Sequence, residues 1–539
     1  MPVRSMDRAI FGHLSQSPMK SEIRILVCAL FLAPLPFTIS ANNIQVTNAS
    51  LTGDNGSSAF VQFDISWENS WRGGGLPNWD AAWVFVKYRD TGNVWHHVTL
   101  SLSGHVVPSG SGAAITTANV EPGTTWDPVT NPIVGAFVHR GIPGSGTFAL
   151  TGIQLKWDYA VQGVTYTDID DIGVFGIEMV YVPGGTFLAG HSDPGSGSMP
   201  RFALTEINSP NASLEGTGTG GIMSAAQGGA PSGTSLVADW PNGYRPIYSM
   251  KYEVSEQGFV DFLNTLTYNQ QLSHGQGQPP AYPYPLGGPG NAIWTQHPSV
   301  GGITPAIMAV NGDGDTNFNE PEDGADRSCG SLAALDLFAY LDWCGLRPMT
   351  ELEFEKICRG QALPLQDAEY AWGTTSIAAL PYTLTAAGMS TEAVATNYST
   401  VLGNAHYVST SVSGRAYRNG IFAAHPTNTG RVSAGASYYG VMEMSGNLRE
   451  RVVKAWGHGY GYSGKHGNGE LTSLGFPDVA SWPLVNSEAI YSGWGFRGGG
   501  FNDLSDRLRI TDRDHTLSPT IVGDTRNMLY GGRGVRNAQ

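Results

Sequence analysis

Between residues 61 and 68 the chain alternates: Val61, Phe63, Ile65 and Trp67 are apolar, and Gln62, Asp64, Ser66 and Glu68 are polar. A period of two turns one face of an extended strand toward a core and the other toward water. Residues 83–88 and 98–102 follow the same pattern, with breaks rich in Gly, Pro and Asn at 73–75, 108–112 and 141–146. Short strands at this spacing predict an all-β sandwich over residues 42–170. Its tryptophans (Trp67, Trp71, Trp79, Trp83, Trp95) suit core packing, with a sugar-binding face as the alternative. His96 and His97 are neighbours on one predicted strand, so they point to opposite faces and cannot chelate one ion together.

A helical period takes over after residue 250. Phe259, Phe262, Leu263 and Leu266 fall on one face, and Ser255 stands where an N-cap belongs. Within 331–360, Leu335, Phe338 and Leu341 line a second helix that Gly345 ends. Thr350 and Glu353 then form a capping box that opens a third helix. An acidic stretch at 167–173 marks the predicted boundary between the sandwich and a second domain over 171–539. Residues 209–233, rich in Gly, Ser and Ala, predict a flexible surface insertion within that domain.

At the N-terminus, Lys20, Glu22 and Arg24 precede an apolar run over 25–36, and small residues follow at Ser40 and Ala41. This predicts a signal peptide within residues 1–41, cleaved near Ala41, and hence a secreted or cell-surface protein. The apolar run is too short to cross a bilayer, and no later segment is long enough to be a transmembrane span. A chain of 539 residues predicts two or more domains, and 71 glycines with only 14% charged residues predict a loop-rich fold over a helical bundle. The net charge of −15 argues against nucleic acid as a partner. Cleavage would leave Cys329, Cys344 and Cys358, an odd number and no disulfide scaffold. Cys344 and Cys358 lie in apolar helical surroundings and are expected to be buried and inert.

One loop suggests a cation. Asn311, Asp313, Asp315, Asn317, Asn319 and Glu322 stand at relative positions 1, 3, 5, 7, 9 and 12, the ligand spacing of an EF-hand loop. Thr316 replaces the usual glycine and Pro321 precludes an exiting helix. The expectation is therefore a stand-alone surface loop holding Ca²⁺, or else a cluster of Asx turns.

Several strings occur in order: IEMVYVPGGTFLAGH at 177–191, the strand and helix at 248–266, the helix pair at 331–360, YGVMEMSGNLRE at 439–450, FRGGGF at 496–501 and GGRGVR at 531–536. Together, from about residue 176 to 536, they resemble the sulfatase-modifying-factor family, whose fold is that of the formylglycine-generating enzyme. The resemblance implies an α+β domain with C-type-lectin-like architecture. In the family's enzymes it also implies two cysteines after the glycine strand that bind cuprous copper. Here that strand runs RGGGFNDLSDRLRITDRD over 497–514 without a cysteine, and the two positions fall close to Asp503 and Leu508. A carboxylate and an aliphatic chain cannot replace thiolates on a soft ion, so no copper is expected. The fold's iron-dependent sulfoxide synthases are matched less well, because no HxxxHxE string occurs.

The same resemblance implies structural calcium held by the Glu443 carboxylate, the Gly446 and Leu448 carbonyls and the Glu450 carboxylate. It further implies a groove beside the glycine strand, walled by Trp494, Asn502, Asp503, Arg507 and Arg513. That groove would take a glycan, a peptide or another protein at the cell surface. The alternative is that Trp494 plugs the groove and Arg–Asp pairs close it. The expected function is thus a non-catalytic, exported binding or surface protein. A secreted oxidoreductase with altered metal ligands and a self-associating subunit of a surface layer or filament are the rivals.

Overall fold

The computed structural model describes residues 43–538 apart from 74–76, 122–123, 129, 194–200, 212–235, 276–290, 362–365, 456, 484–492 and 518–524. The expected signal peptide and most of the 209–233 insertion lie outside the described residues.

Eight strands open the fold: β1 (Gln45–Thr52), β2 (Ala59–Arg72), β3 (Asp80–Asp90), β4 (Trp95–His97), β5 (Ala113–Asn119), β6 (Ile133–Arg140), β7 (Gly144–Trp157) and β8 (Ile169–Val182). Strands β1, β2 and β7 form one antiparallel sheet. The alternation along β2 is realised: Val61, Phe63, Ile65 and Trp67 are buried, and the residues between them are half-buried. They pack against Ala82, Val84 and Val86 of β3 and against Ala136 and Val138 of β6.

The second sheet runs β5-β6-β3-β8 and then continues through Ile247–Met250, Gly534–Asn537 and Arg347–Pro348, with β4 beside β3. Strand β8 begins at the boundary expected near residue 170, and it pairs with β3 on one side and with Ile247–Met250 on the other. The sheet thus crosses that boundary unbroken.

Residues 83–88 depart from the alternating pattern expected of them. Both faces of β3 are buried because the sheet is covered twice. Ala82, Val84 and Val86 face the sandwich, while Trp83 and Phe85 pack with helices α1 (Glu256–Asn264) and α3 (Ala334–Trp343). Trp83 Nε1 donates to the Cys344 carbonyl at 2.7 Å, and the Arg536 guanidinium lies 4.5 Å from the Trp83 ring centroid. Residues 98–102 form no continuous strand; only Leu100 bridges, to Ile133 and Trp157.

The helix ends follow local chemistry. Ser255 Oγ accepts from Gly258 N to start α1, Gly345 adopts a left-handed φ of 71° after α3, and Thr350 with Glu353 caps α4 (Glu351–Arg359). Helix α2 (Tyr268–His274) follows α1. The three cysteines among the described residues are buried free thiols.

Double coverage of the sheet leaves no room at Gly135 on β6. A Cβ there would lie 2.5 Å from Trp83 Cζ2 and 2.8 Å from the Val84 carbonyl oxygen. Gly135→Ala is expected to cost about 1–3 kcal/mol through overpacking. Gly414→Ala, where a Cβ meets nothing within 4 Å, should be neutral, and urea unfolding of the two variants compares them.

Candidate functional site at the glycine strand

Arg449–Val453 is a central strand, antiparallel to Trp494–Arg497 and parallel to Tyr530–Gly531. The chain reaches it through the turn at 443–448, where Glu443, Gly446 and Asn447 all have positive φ. The Asn447 side chain braces this turn. Its Nδ2 donates to Glu253 Oε2 at 2.6 Å and to Ser328 Oγ at 2.8 Å, and its Oδ1 accepts from Tyr417 N. Leu448 N donates to Glu253 Oε1 and Gly446 N to the Gly498 carbonyl.

The calcium set expected at this turn is not assembled for an ion. Glu450 is fully buried, and Arg533 holds both of its oxygens, Nε to Oε2 at 2.6 Å and Nη2 to Oε1 at 2.8 Å. The guanidinium also donates to the Met250, Lys251 and Met442 carbonyls. Glu443 Oε1 accepts from Gly420 N, and burial pushes its carboxyl up to about 7. Burial likewise raises Glu253 and Glu450, against the opposing pull of Arg533. Arg533 is the cation of this site, so the Glu443, Gly446, Leu448 and Glu450 set does not fit Ca²⁺.

Beyond Arg497 the chain turns at Gly498 and Gly499, both with positive φ. Close to the two positions where the resemblance led us to expect cysteines stand Asp503 and Leu508. Asp503 accepts from Arg449 Nε at 2.7 Å, from Arg449 Nη2 and from Gly500 N, with His515 Nε2 at 3.3 Å. Bonds from His515 and Arg449 outweigh its desolvation and hold its carboxyl well below the usual range. Leu508 is fully buried with Tyr370, Trp372, Ala405 and Tyr407. Neither side chain is free to meet a ligand.

The expected groove is closed. Trp494 is 2% exposed, and the Arg451 guanidinium lies 4.4 Å from its ring centroid. Arg513 is fully buried, donating to Glu351 Oε2 at 2.7 Å and Oε1 at 2.9 Å, with Phe202 below its plane at 3.8 Å. Arg507 is half-buried and pairs with Asp512 and Asp514. Asn502 alone of the five is exposed. The desolvated partners that sequence reasoning lacked are Glu351 on α4 and Arg451 on the neighbouring strand, both distant in the chain.

Beside Asn502 this surface exposes two apolar side chains. Leu504 is 64% and Val408 39% exposed, and Val408 N donates to the Asp503 carbonyl, so the two lie together beside Asn502. The one sequence signal for this patch is Leu504, an apolar residue within the polar string Asn502–Asp506.

The acidic loop is built differently from its spacing. Asp313, Asp315 and Glu320 bring one ligand oxygen each within 4.8 Å of one another, the only such group of three or more among the described residues. Glu320 thus stands where Glu322 was expected, because Pro321 starts a 3₁₀ turn that leaves Glu322 exposed outside the cluster. Asn311 Oδ1 accepts from Gly314 N and Asp315 Oδ1 from Asn317 N, so Asn311 and Asn317 brace the loop. Asn319 Oδ1 accepts from Val310 N.

Comparison with known families matches residues 175–536, about two-thirds of the chain, to the sulfatase-modifying factor enzyme 1-like domain. No curated protein matches the sequence.

Asp503→Asn should lose about 3 kcal/mol at pH 7, since it leaves Arg449 without its carboxylate. Asp503 has a lowered folded pKa, so its contribution is present above the unfolded carboxylate value of about 4 and is lost as pH falls through the folded value. The deficit of the variant, read by urea unfolding, should therefore shrink toward about pH 2. A deficit that stays constant with pH would assign the loss to something other than the ion pair.

Proposed function

The chain belongs to the sulfatase-modifying factor enzyme 1-like family, and from that premise we propose a non-catalytic, exported member that binds a partner. The observation that carries this reading is the engagement of Asp503 by Arg449 and His515, with Leu508 buried, where the family's enzymes place thiolates. Soft cuprous copper needs sulfur ligands, and a carboxylate already bound by a guanidinium supplies none. The three cysteines of the described residues are buried, and burial raises each thiol, the opposite of what a reactive thiolate requires.

The partner surface in this reading is the exposed patch of Asn502, Leu504 and Val408, which takes the place of the closed groove. A glycan, peptide or protein on the cell surface is the partner class. An oxidoreductase with substituted ligands is less well supported. Among the described residues, no three His, Cys, Asp or Glu side chains converge near 497–515.

We further propose Ca²⁺ as the ligand of the loop at 311–322, through Asp313, Asp315 and Glu320. Hard carboxylate oxygens in close approach support this choice.

Mass spectrometry of a C-x-P-x-R peptide incubated with the protein, copper and oxygen is expected to find no formylglycine. Its formation would overturn the non-catalytic reading. On glycan and peptide arrays, binding is expected to fall with Leu504→Asp and to survive Trp494→Phe; the reverse pattern would move the partner site.

Calcium binding is read by melting. A ligand specific to the folded state adds about 2.7 kcal/mol at a hundred times its dissociation constant. The midpoint should rise in millimolar Ca²⁺, and Asp315→Asn should abolish the rise. Glu450→Gln should lower the midpoint yet keep the rise. Identical wild-type curves with Ca²⁺ and with chelator would rule the loop out.

A further inference from the structure

Helix α2 is fastened along its inner side. Gln271 Nε2 donates to the Leu263 and Ala306 carbonyls at 3.0 and 2.8 Å, and the His274 ring lies 2.9 Å from Asp336 Oδ1 and 2.8 Å from the Gly475 carbonyl. Tyr268 and Leu272, one turn apart on another stripe, are half-buried and exposed. Two neighbours extend this outer side. On one flank is the hairpin of strands Ile293–His297 and Ile307–Val310, whose tip leaves Val300 67% and Ile303 82% exposed. Gly302 of the tip faces Tyr268, since a Cβ there would stand 3.8 Å from the ring. On the other flank, Gln270 Nε2 donates to the Thr472 carbonyl at 3.1 Å and secures a turn whose exposed apolar residue is Leu474. Single exposed aliphatics are ordinary, but a group drawn from three segments of chain marks an interaction surface.

This surface also lacks charge. From Phe262 to Gly312 the chain carries no Asp, Glu, Lys or Arg, in a protein whose charged share is 14% and whose net charge is −15. Residues 471–477 carry none either. The acids that flank them are engaged: Glu470 Oε1 accepts from His97 N at 2.6 Å, and Asp478 accepts from Asn468 Nδ2 at 3.2 Å.

We propose that Tyr268, Leu272, Val300, Ile303 and Leu474 form the face through which two copies of this chain associate about a two-fold axis. Charge decides the occupant. Two molecules of net charge −15 repel, and contact costs least where neither presents a charge. A two-fold contact sets a patch against itself, so the patch must be self-complementary, and a neutral aliphatic one is. A membrane surface suits the face less well, because these three segments supply no Lys or Arg for lipid headgroups. The face shares no residue with the glycine-strand surface, and neither reading depends on the other.

Sedimentation velocity of the purified protein over a range of concentrations tests this. A monomer–dimer equilibrium that stops at the dimer is expected. Added salt should tighten it, because salt screens the repulsion between acidic molecules, whereas an interface of ion pairs would loosen. Ile303→Asp and Leu272→Asp, both at exposed positions, should each weaken the dimer at least about tenfold while melting like the wild type. Ile142→Asp, equally exposed on the sandwich, should leave it unchanged. A monomer at every concentration up to about 0.5 mM would overturn the proposal. So would a dimer indifferent to Ile303→Asp and Leu272→Asp, one that loosens with salt, or growth beyond the dimer. Flotation of the monomer with phosphatidylcholine vesicles, abolished by Ile303→Asp, would assign the face to a lipid surface instead.

Discussion

Arginine–carboxylate pairs, out of reach of water, are the constraint around which the C-terminal half is organised. Arg347 holds Glu353, Arg497 holds Glu355, Arg513 holds Glu351, and Arg533 holds Glu450, all four arginines at most 2% exposed. Every residue of α4 is buried, although Glu351, Glu353, Glu355, Lys356 and Arg359 all carry charge. A helix of this composition can lie inside only because its carboxylates meet arginines and Lys356 donates to the Gly185 carbonyl, since removing one partner of a buried ion pair costs on the order of 3–5 kcal/mol. The pairs therefore dictate register. The glycine strand, the 443–450 turn and the 531–536 segment must each arrive at the one position that completes an ion pair.

The same constraint decides what the surface beside the glycine strand can do. Arg449 and Asp503 neutralise each other, and Glu351 on α4 claims Arg513. Much of the charge there is engaged in ion pairs, and the residues left facing solvent include Asn502, Leu504, Val408 and Ser409. Recognition at such a surface would rest on shape and apolar contact beside a few exposed polar groups.

Much of the fold was legible because it is written locally. Ser255, Thr350 with Glu353, and Gly345 each act on backbone groups within a few residues, so their roles follow from spacing. The ordered glycine-rich strings identified the family for the same reason, since each marks a turn that only short-range geometry permits. What escaped sequence reading was set by partners far along the chain. Nothing near Trp494 announces that Arg451 will cover it, and nothing near Arg513 announces Glu351. Residues 83–88 look like an ordinary half-exposed strand until α1 and α3 cover their second face. In the acidic loop the spacing of ligands was visible, but the 3₁₀ turn at Pro321 substituted Glu320 for Glu322.

The strand Gly534–Asn537 lies between Ile247–Met250 and Arg347–Pro348, inside the sheet and not at its margin. Both partners are synthesised hundreds of residues earlier, and until this strand appears they present open edges to whatever else is near. Closure of the sheet is thus a late, long-range event, which slows folding and prolongs exposure to mispairing. For a chain of this design the vulnerable interval is its biogenesis, before residues 534–537 are made.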